Sequence, residues 1–259
     1  MRDFVGRVGV VTGAARGIGF ALAQSMATRG MRVVLSDVEA ARPHHAANML
    51  RAEGADVLGV VCDVTDPVQV DELAAKSVER FGRVDLLCNN AGIVSGGVTW
   101  EIPLETWKQT LGVNLWGVIH GVRSFVPILL GNPEGGHVVN VASMAAVTPV
   151  PGIAPYNVSK HGVLALSETL RADLQRAGAA IGVTVVMPGR VATGIGLASG
   201  EPVPYTDDDL EPGLLSAGEV ADQIMTAVSD GTVYLFTHPE RMQDVKDRFA
   251  AIVGADRSE

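Results

Sequence analysis

The sequence predicts an α/β fold: one doubly wound, parallel seven-stranded sheet with helices on both faces. Three observations carry that expectation. Short valine-rich runs recur along the 259 residues. These runs are apolar without period-two alternation, the pattern of strands covered on both sides. Between them lie stretches of helical length and periodicity, and regular alternation of strand and helix builds right-handed crossovers in a parallel sheet.

In chain order, strands are read at residues 8–11, 32–35, 57–61, 84–87, 137–141, 183–186 and 233–236. Helices are read at 17–29, 40–53, 68–81, 105–130, 156–176, 217–228 and 240–252. Local signals support several boundaries. Asp66-Pro67 offers an N-cap followed by a proline, while Gly30, Gly54, Gly82 and Gly178 stand where helices should stop. No linker, low-complexity tract or solenoid-period repeat breaks the alternation, so residues 1–259 read as a single domain. The irregular stretch is 194–213, rich in Gly, Pro and Asp. It is predicted to be a substrate lid, with Ile195 and Leu197 over the substrate and Asp207 to Asp209 left in water.

Composition narrows the function. With 47% apolar residues the chain can bury a sizeable core, and its net charge of −9, with no compensating run of Lys and Arg, argues against a nucleic-acid partner. The longest uncharged apolar stretch near the N-terminus, 17–28, is too short to span a bilayer, and Met1-Arg2-Asp3-Phe4 does not begin a signal peptide. A soluble, cytoplasmic protein without a membrane partner is expected. Cys62 and Cys88 are the only cysteines, both in apolar runs read as strands, and are expected to be buried free thiols. His44, His45, His120, His137, His161 and His238 are scattered without metal-ligand spacing, so no metal site is predicted. Trp100, Trp107 and Trp116 flank the 105–130 helix and read as core or subunit interface rather than as a stacking platform for nucleic acid.

The turn after the first strand carries the first chemical signal. Thr12-Gly13-Ala14-Ala15-Arg16-Gly17-Ile18-Gly19 joins a strand to an apolar helix. In that context Gly13 permits the tight turn, Gly17 lets backbone amides approach a pyrophosphate, and Gly19 allows close helix–strand packing, with the anion at the helix N-terminus. The plain alternative is a glycine-rich turn that binds nothing. Asp37 ends the second strand, eighteen residues past Gly19, where a carboxylate can accept hydrogen bonds from an adenosine ribose and repel a 2′-phosphate. This favours NAD over NADP. Arg16 points the other way if it reaches a 2′-phosphate, and equally serves as an ion-pair partner at the rim.

Tyr156 and Lys160 supply the second signal. At i and i+4 on a helix they share a face, so the ammonium can favour ionisation of the phenol. Bringing a phenol from about 10 to neutrality requires roughly 4 kcal/mol of differential stabilisation, more than one lysine contributes, so a second positive charge such as an oxidised nicotinamide would help. Ser143, thirteen residues before Tyr156, is a hydrogen-bond donor suited to the same substrate oxygen.

Taken together, these motifs resemble those of the classical short-chain dehydrogenase/reductase family, from Gly6 to about Pro239. The resemblance rests on Thr12-Gly-x-x-x-Gly-x-Gly19, Cys62-Asp63-Val64, Asn89-Asn90-Ala91-Gly92, Val113-Asn114-Leu115, Ser143 with Tyr156-x-x-x-Lys160, and Pro188-Gly189-Arg190-Val191-Ala192-Thr193. It implies a Rossmann-type domain in which Asp63 and Val64 flank the adenine, and Asn90, Ala91 and Gly92 bring backbone to the cofactor. It further implies that the Pro188, Gly189, Val191 and Thr193 segment holds the nicotinamide carboxamide. Asn114, Ser143, Tyr156 and Lys160 would form the catalytic set, with Lys160 on the nicotinamide ribose and Asn114 in a locally distorted helix anchoring a proton-relay water. The family also implies a homotetramer built on the 105–130 and 156–176 helices.

The function expected is hydride transfer between NAD(H) and a secondary alcohol or ketone, with Tyr156 as general acid/base. Apolar residues flanking the motifs suggest an apolar or cyclic substrate body: Ile93, Val94, Met144, Ala145, Val150, Ile153, Met187, Ile195 and Leu197. Ser143, Met144, Ala145, Tyr156, Ile195 and Leu197 are the residues expected at the substrate. Two other readings compete. One is an idle NAD-binding redox sensor or scaffold. The other is an NADP-dependent ketoacyl-type reductase, for which Arg190 is the only nearby basic candidate.

Overall fold

The computed structural model describes residues 1, 3–193, 195 and 213–254. Its elements alternate as β1 (Val8–Thr12), α1 (Gly17–Thr28), β2 (Arg32–Asp37), α2 (Arg42–Ala52), β3 (Val57–Val61), α3 (Pro67–Phe81) and β4 (Leu86–Asn89). Helix α4 (Leu104–Leu111), a π-helical segment (Gly112–Trp116) and α5 (Gly117–Leu130) follow, then β5 (Gly136–Val141), α6 (Ala154–Arg176) and β6 (Ile181–Met187). The chain closes with α7 (Ala217–Asp230), β7 (Tyr234–Phe236) and α8 (Met242–Gly254).

The seven strands form one parallel sheet in the order β3-β2-β1-β4-β5-β6-β7. This is the doubly wound Rossmann-like architecture, and the strand order reverses between β1 and β4, where such sheets open a crevice at their C-terminal ends. Both faces are covered, which is why the strands are apolar throughout. Leu22 and Met26 of α1 pack with Val220, Ile224 and Met225 of α7 on one face. On the other, Leu73 of α3, Phe125 and Leu129 of α5 and Leu174 of α6 close over Val10, Val34, Leu87 and Val138.

The expected boundary signals have physical counterparts. Asp66 caps α3 by accepting from the Val68 amide at 2.9 Å, and Gly30, Gly54, Gly82 and Gly178 follow helices with positive φ. Cys62 and Cys88 are buried free thiols, although Cys62 lies just past β3 rather than within it.

The structure narrows the reading of 105–130 and of the tryptophans. The helix read as continuous over 105–130 is interrupted by the π-helical segment, whose buried Asn114 is held by tertiary hydrogen bonds that a straight α-helix would not serve. The run Leu104–Leu130 is long and apolar enough by length and composition to cross a bilayer, yet Phe125 and Leu129 pack into the core beneath it. Of the two alternatives for the tryptophans, core or subunit interface, core does not hold for Trp100 and Trp116, with 85% and 54% of their surfaces exposed. The predicted lid at 194–213 lies outside the described residues, except for Ile195 and Gly213.

Candidate active site

The crevice is assembled first by hydrogen bonds between strand ends. The Thr12 hydroxyl accepts from the Asn90 and Ala91 amides at 3.0 and 3.1 Å. Asn90 Nδ2 returns two bonds, to the Thr12 and Gly13 carbonyls at 2.9 and 3.1 Å. Side chains are excluded where these segments meet. A Cβ on Gly13, at φ +62°, would lie 2.8 Å from Ala91 Cα, and one on Gly19 would lie 2.2 Å from the Gly13 carbonyl oxygen. Close by, Asn89 Nδ2 bonds Asn140 Oδ1 at 2.9 Å, and Asn140 Nδ2 bonds Ser167 Oγ at 2.9 Å, which locks β4, β5 and α6 together beneath the site.

Helix α1 begins at this turn with no side-chain cap and no acidic residue in its first turn. Its leading amides therefore present a positive helix terminus to the crevice, a donor set suited to a phosphate-bearing ligand. Asp37 closes the other side, its Oδ2 accepting from the Ala15 amide at 3.2 Å.

These elements bound a cleft of about 260 Å³. Every residue predicted to touch the cofactor lines it: Gly13, Arg16, Gly17, Ile18, Gly19, Asp37, Asp63, Val64, Asn90, Ala91, Gly92, Tyr156, Lys160, Pro188, Gly189, Val191 and Thr193. Ile93, Ser143 and Ile195 line it as well. Val38, Glu39, Cys62, Val113, Val141 and Ala142 complete the wall, and the sequence reading assigned none of them to the cofactor, although Cys62 and Val113 stand inside its quoted motifs. Val38 and Glu39 directly follow Asp37, so their place beside it was a legible signal too. His120 supports the wall from behind, its Nδ1 lying 2.9 Å from the Val64 carbonyl.

Ser143 and Tyr156 face each other across the inner end. Ser143 Oγ accepts from the Ala145 amide at 3.1 Å and donates to the Pro188 carbonyl at 3.5 Å. Lys160 is buried, donates to the Val141 carbonyl at 2.8 Å, and stands 5.6 Å from the centre of the Tyr156 ring. Burial pushes its ammonium down from 10.5 to about 8. The Tyr156 phenol is pushed above 10 by burial, with the Ser143 hydrogen bond acting in the opposite direction. Lys160 was expected to lower the phenol in part, with a second positive charge completing the shift; without that charge, burial outweighs it. The ammonium lies against the ring, and removing the phenolate from water costs more than the protein's own groups return.

Asn114 does not line the cleft. Its Oδ1 accepts from the Ile93 amide at 2.8 Å, and its Nδ2 donates to the Ile93 carbonyl at 2.9 Å and to Ser159 Oγ at 3.1 Å. It thus ties the segment after β4 to α6 from behind. Two predicted substrate residues also move out of the site. Met144 and Ala145 are buried in a 3₁₀ turn, and Met144 packs with Val185, Met187 and Val245. Met187 is core for the same reason, and Leu197 lies outside the described residues. No cluster of three or more potential metal ligands occurs among the described residues.

Comparison with known proteins agrees with this architecture. A family model described as short chain dehydrogenase matches residues 7–202. The 1-deoxy-11-beta-hydroxypentalenate dehydrogenase of Streptomyces avermitilis is 40% identical over 242 residues, covering 93% of this chain and 87% of that protein. A CLA biosynthesis dehydrogenase/reductase of Lactiplantibacillus plantarum is 32% identical, with 98% and 95% covered. The crystal structure of a short-chain dehydrogenase/reductase from Burkholderia phymatum in complex with NAD superposes with a TM-score of 0.91 at 38% identity, covering 98% of this chain and 96% of that one. By fold, motifs and relatives alike, the chain belongs to the short-chain dehydrogenase/reductase family and is a hydride-transfer oxidoreductase.

Proposed function

We propose that the protein transfers hydride between NAD(H) and a secondary alcohol or ketone with an apolar or cyclic body. The observation that carries this reading is that Ser143, Tyr156 and Lys160 share one cleft with the uncapped N-terminus of α1 and with Asp37. The turn fits a dinucleotide, since the α1 amides have no side-chain cap, while Gly13 and Gly19 let the turn pack closely against Ala91 and Asn90. Asp37 puts a carboxylate at one rim of the cleft, with Glu39 beside it paired to Arg42, and this favours a free ribose over a 2′-phosphate despite Arg16 on the same wall. The NAD held by the Burkholderia relative supports the same choice.

In this mechanism the α1 amides hold the pyrophosphate, Asp37 the adenosine ribose, Asp63 and Val64 the adenine, and Val191 and Thr193 the carboxamide. The coenzyme supplies the hydride acceptor or donor and, when oxidised, the added positive charge that the Tyr156 phenol requires. Tyr156 Oη takes the hydroxyl proton during oxidation and returns it during reduction, and Ser143 Oγ donates to the same substrate oxygen. Lys160 adds positive charge beside the ring, and Asn114 fixes the Ile93 segment and α6 relative to each other. Ile93, Val113, Ala142 and Ile195 support an apolar substrate body, and the relatives named for a hydroxypentalenate support a hydroxyl-bearing one.

Two further proposals accompany this reading: a cytoplasmic location, and a homotetramer that covers exposed Leu104 on α4, Trp116 on the π-helical segment and Val158 on α6. The functional test is a panel of secondary alcohols and ketones assayed with both coenzymes by nicotinamide absorbance. Turnover is expected with NAD(H) on cyclic or apolar members. Tight NAD binding without turnover on any member would instead favour an idle binding protein.

A further inference from the structure

His238 is 2% exposed, lies outside the cleft, and has no part in the mechanism above. Its hydrogen bonds nevertheless converge on one wall of the cleft. The Gly189 amide donates to Nδ1 at 3.0 Å, and Nε2 lies 3.0 Å from the Arg190 carbonyl. An amide can only donate, so Nδ1 carries no proton, and the neutral ring must bear its hydrogen on Nε2 and give it to Arg190. The Thr237 hydroxyl, 2.7 Å from Nδ1, is then a second donor to that nitrogen. The partners select the tautomer without ambiguity.

Packing agrees with the bonding. A Cβ on residue 189 would fall 2.8 Å from the ring, so the imidazole fills the space that glycine leaves. The ring thereby holds the N–H of the Pro188–Gly189 peptide and the C=O of the Arg190–Val191 peptide, so the Gly189–Arg190 segment is clamped from both ends between Pro188 and Val191, which face the cleft. Leu215 adds only an amide to the same Arg190 carbonyl, at 3.1 Å. Without the ring, the partly buried Gly189 amide would lose its acceptor.

We infer that His238 is a positioning residue for the coenzyme: it clamps the Gly189–Arg190 segment through the peptides on either side and so sets how Val191 and Thr193 meet the nicotinamide end. The inference rests on the coenzyme reading above. It also makes the end of β7 part of the coenzyme site, although no side chain there reaches the cleft.

The test compares His238→Asn, His238→Gln and His238→Ala in the full-length protein. Asparagine keeps an acceptor where Nδ1 stands, whereas glutamine keeps a donor towards Arg190 and loses that acceptor. NAD dissociation constants, KM for NAD and for the alcohol, kcat and thermal midpoints are measured for each. The Gln and Ala variants should bind NAD about tenfold or more weakly, the scale of one buried amide left unpaired, with Asn within about threefold of wild type. KM for the alcohol should move little. Equal NAD affinity in all variants overturns the inference, as does a shared fall in thermal midpoint with NAD affinity unchanged. If Ala does not fold, the Asn and Gln pair decides, and Gln binding as well as Asn overturns it. Wild-type protein that binds neither NAD nor NADP would refute the coenzyme reading itself, a result distinguishable because it precedes any variant.

Discussion

Replacing Lys160 by methionine should change how stability responds to pH, by an amount that follows from burial. The ammonium is pushed from 10.5 down to about 8 in the folded protein. Between those values the unfolded chain holds a proton that the folded protein has released, so wild-type stability rises with pH across the window. Below it both states are protonated, and above it both are neutral. A drop from 10.5 to about 8 corresponds to about 3 kcal/mol when complete, at about 1.4 kcal/mol per pH unit, and about 2 kcal/mol is reached by about pH 9.5. Cys62, Cys88 and Tyr156 run the other way. Burial raises all three, Cys62 from 9.0 to about 11, so each contributes stability at lower pH that is lost as pH climbs through its folded value. Because those groups titrate in both proteins, the difference between wild type and Lys160→Met isolates the lysine. Urea unfolding of both proteins at about pH 7, 8 and 9.5 should show wild type gaining on the variant by about 2 kcal/mol over that range. Parallel stability curves would refute the reasoning, because they would mean that the buried ammonium titrates at its ordinary value.

Three shorter predictions follow from the cleft. Asp37→Ser should raise the NADP/NAD ratio of kcat/KM, but Glu39 on the same rim should keep the switch incomplete; a wild type already preferring NADP would show that Arg16 dominates. Gly19→Ala should abolish measurable NAD binding by calorimetry, because its Cβ would stand 2.2 Å from the Gly13 carbonyl oxygen, and near-wild-type affinity would contradict the turn as the phosphate cradle. Light scattering at micromolar concentration should report a tetramer, and a monomer would remove the proposed role of the exposed Trp116 surface.

The fold was legible because its cause is local. Continuous valine-rich runs can only be strands in a sheet covered on both faces, and the motif residues sit at the C-terminal ends of those strands, where the sheet gathers them. Features that depended on distant partners were not legible. A distortion at Asn114 was implied only by the resemblance, and its partners Ile93 and Ser159, twenty-one and forty-five residues away, were not legible. Met144 follows Ser143 directly, yet a 3₁₀ turn carries it into the core, and no spacing rule separates that outcome from a pocket lining. The sequence put Tyr156 beside Lys160 but not the depth of their burial, and burial decided the direction in which the phenol moved. His238 looked like one of six scattered histidines because its partners, Gly189 and Arg190, are forty-nine and forty-eight residues earlier.

The central claim is that Tyr156 moves the substrate proton in a coenzyme-bound cleft, and Tyr156→Phe tests it most directly. The substitution removes one oxygen and keeps the ring against Lys160, so coenzyme binding should survive. With the best alcohol from the panel and saturating NAD, kcat should fall by at least roughly 100-fold, the lower scale for loss of a general acid–base group, while the NAD dissociation constant stays within about threefold. Retention of more than about a tenth of wild-type turnover, with NAD bound, would contradict the account.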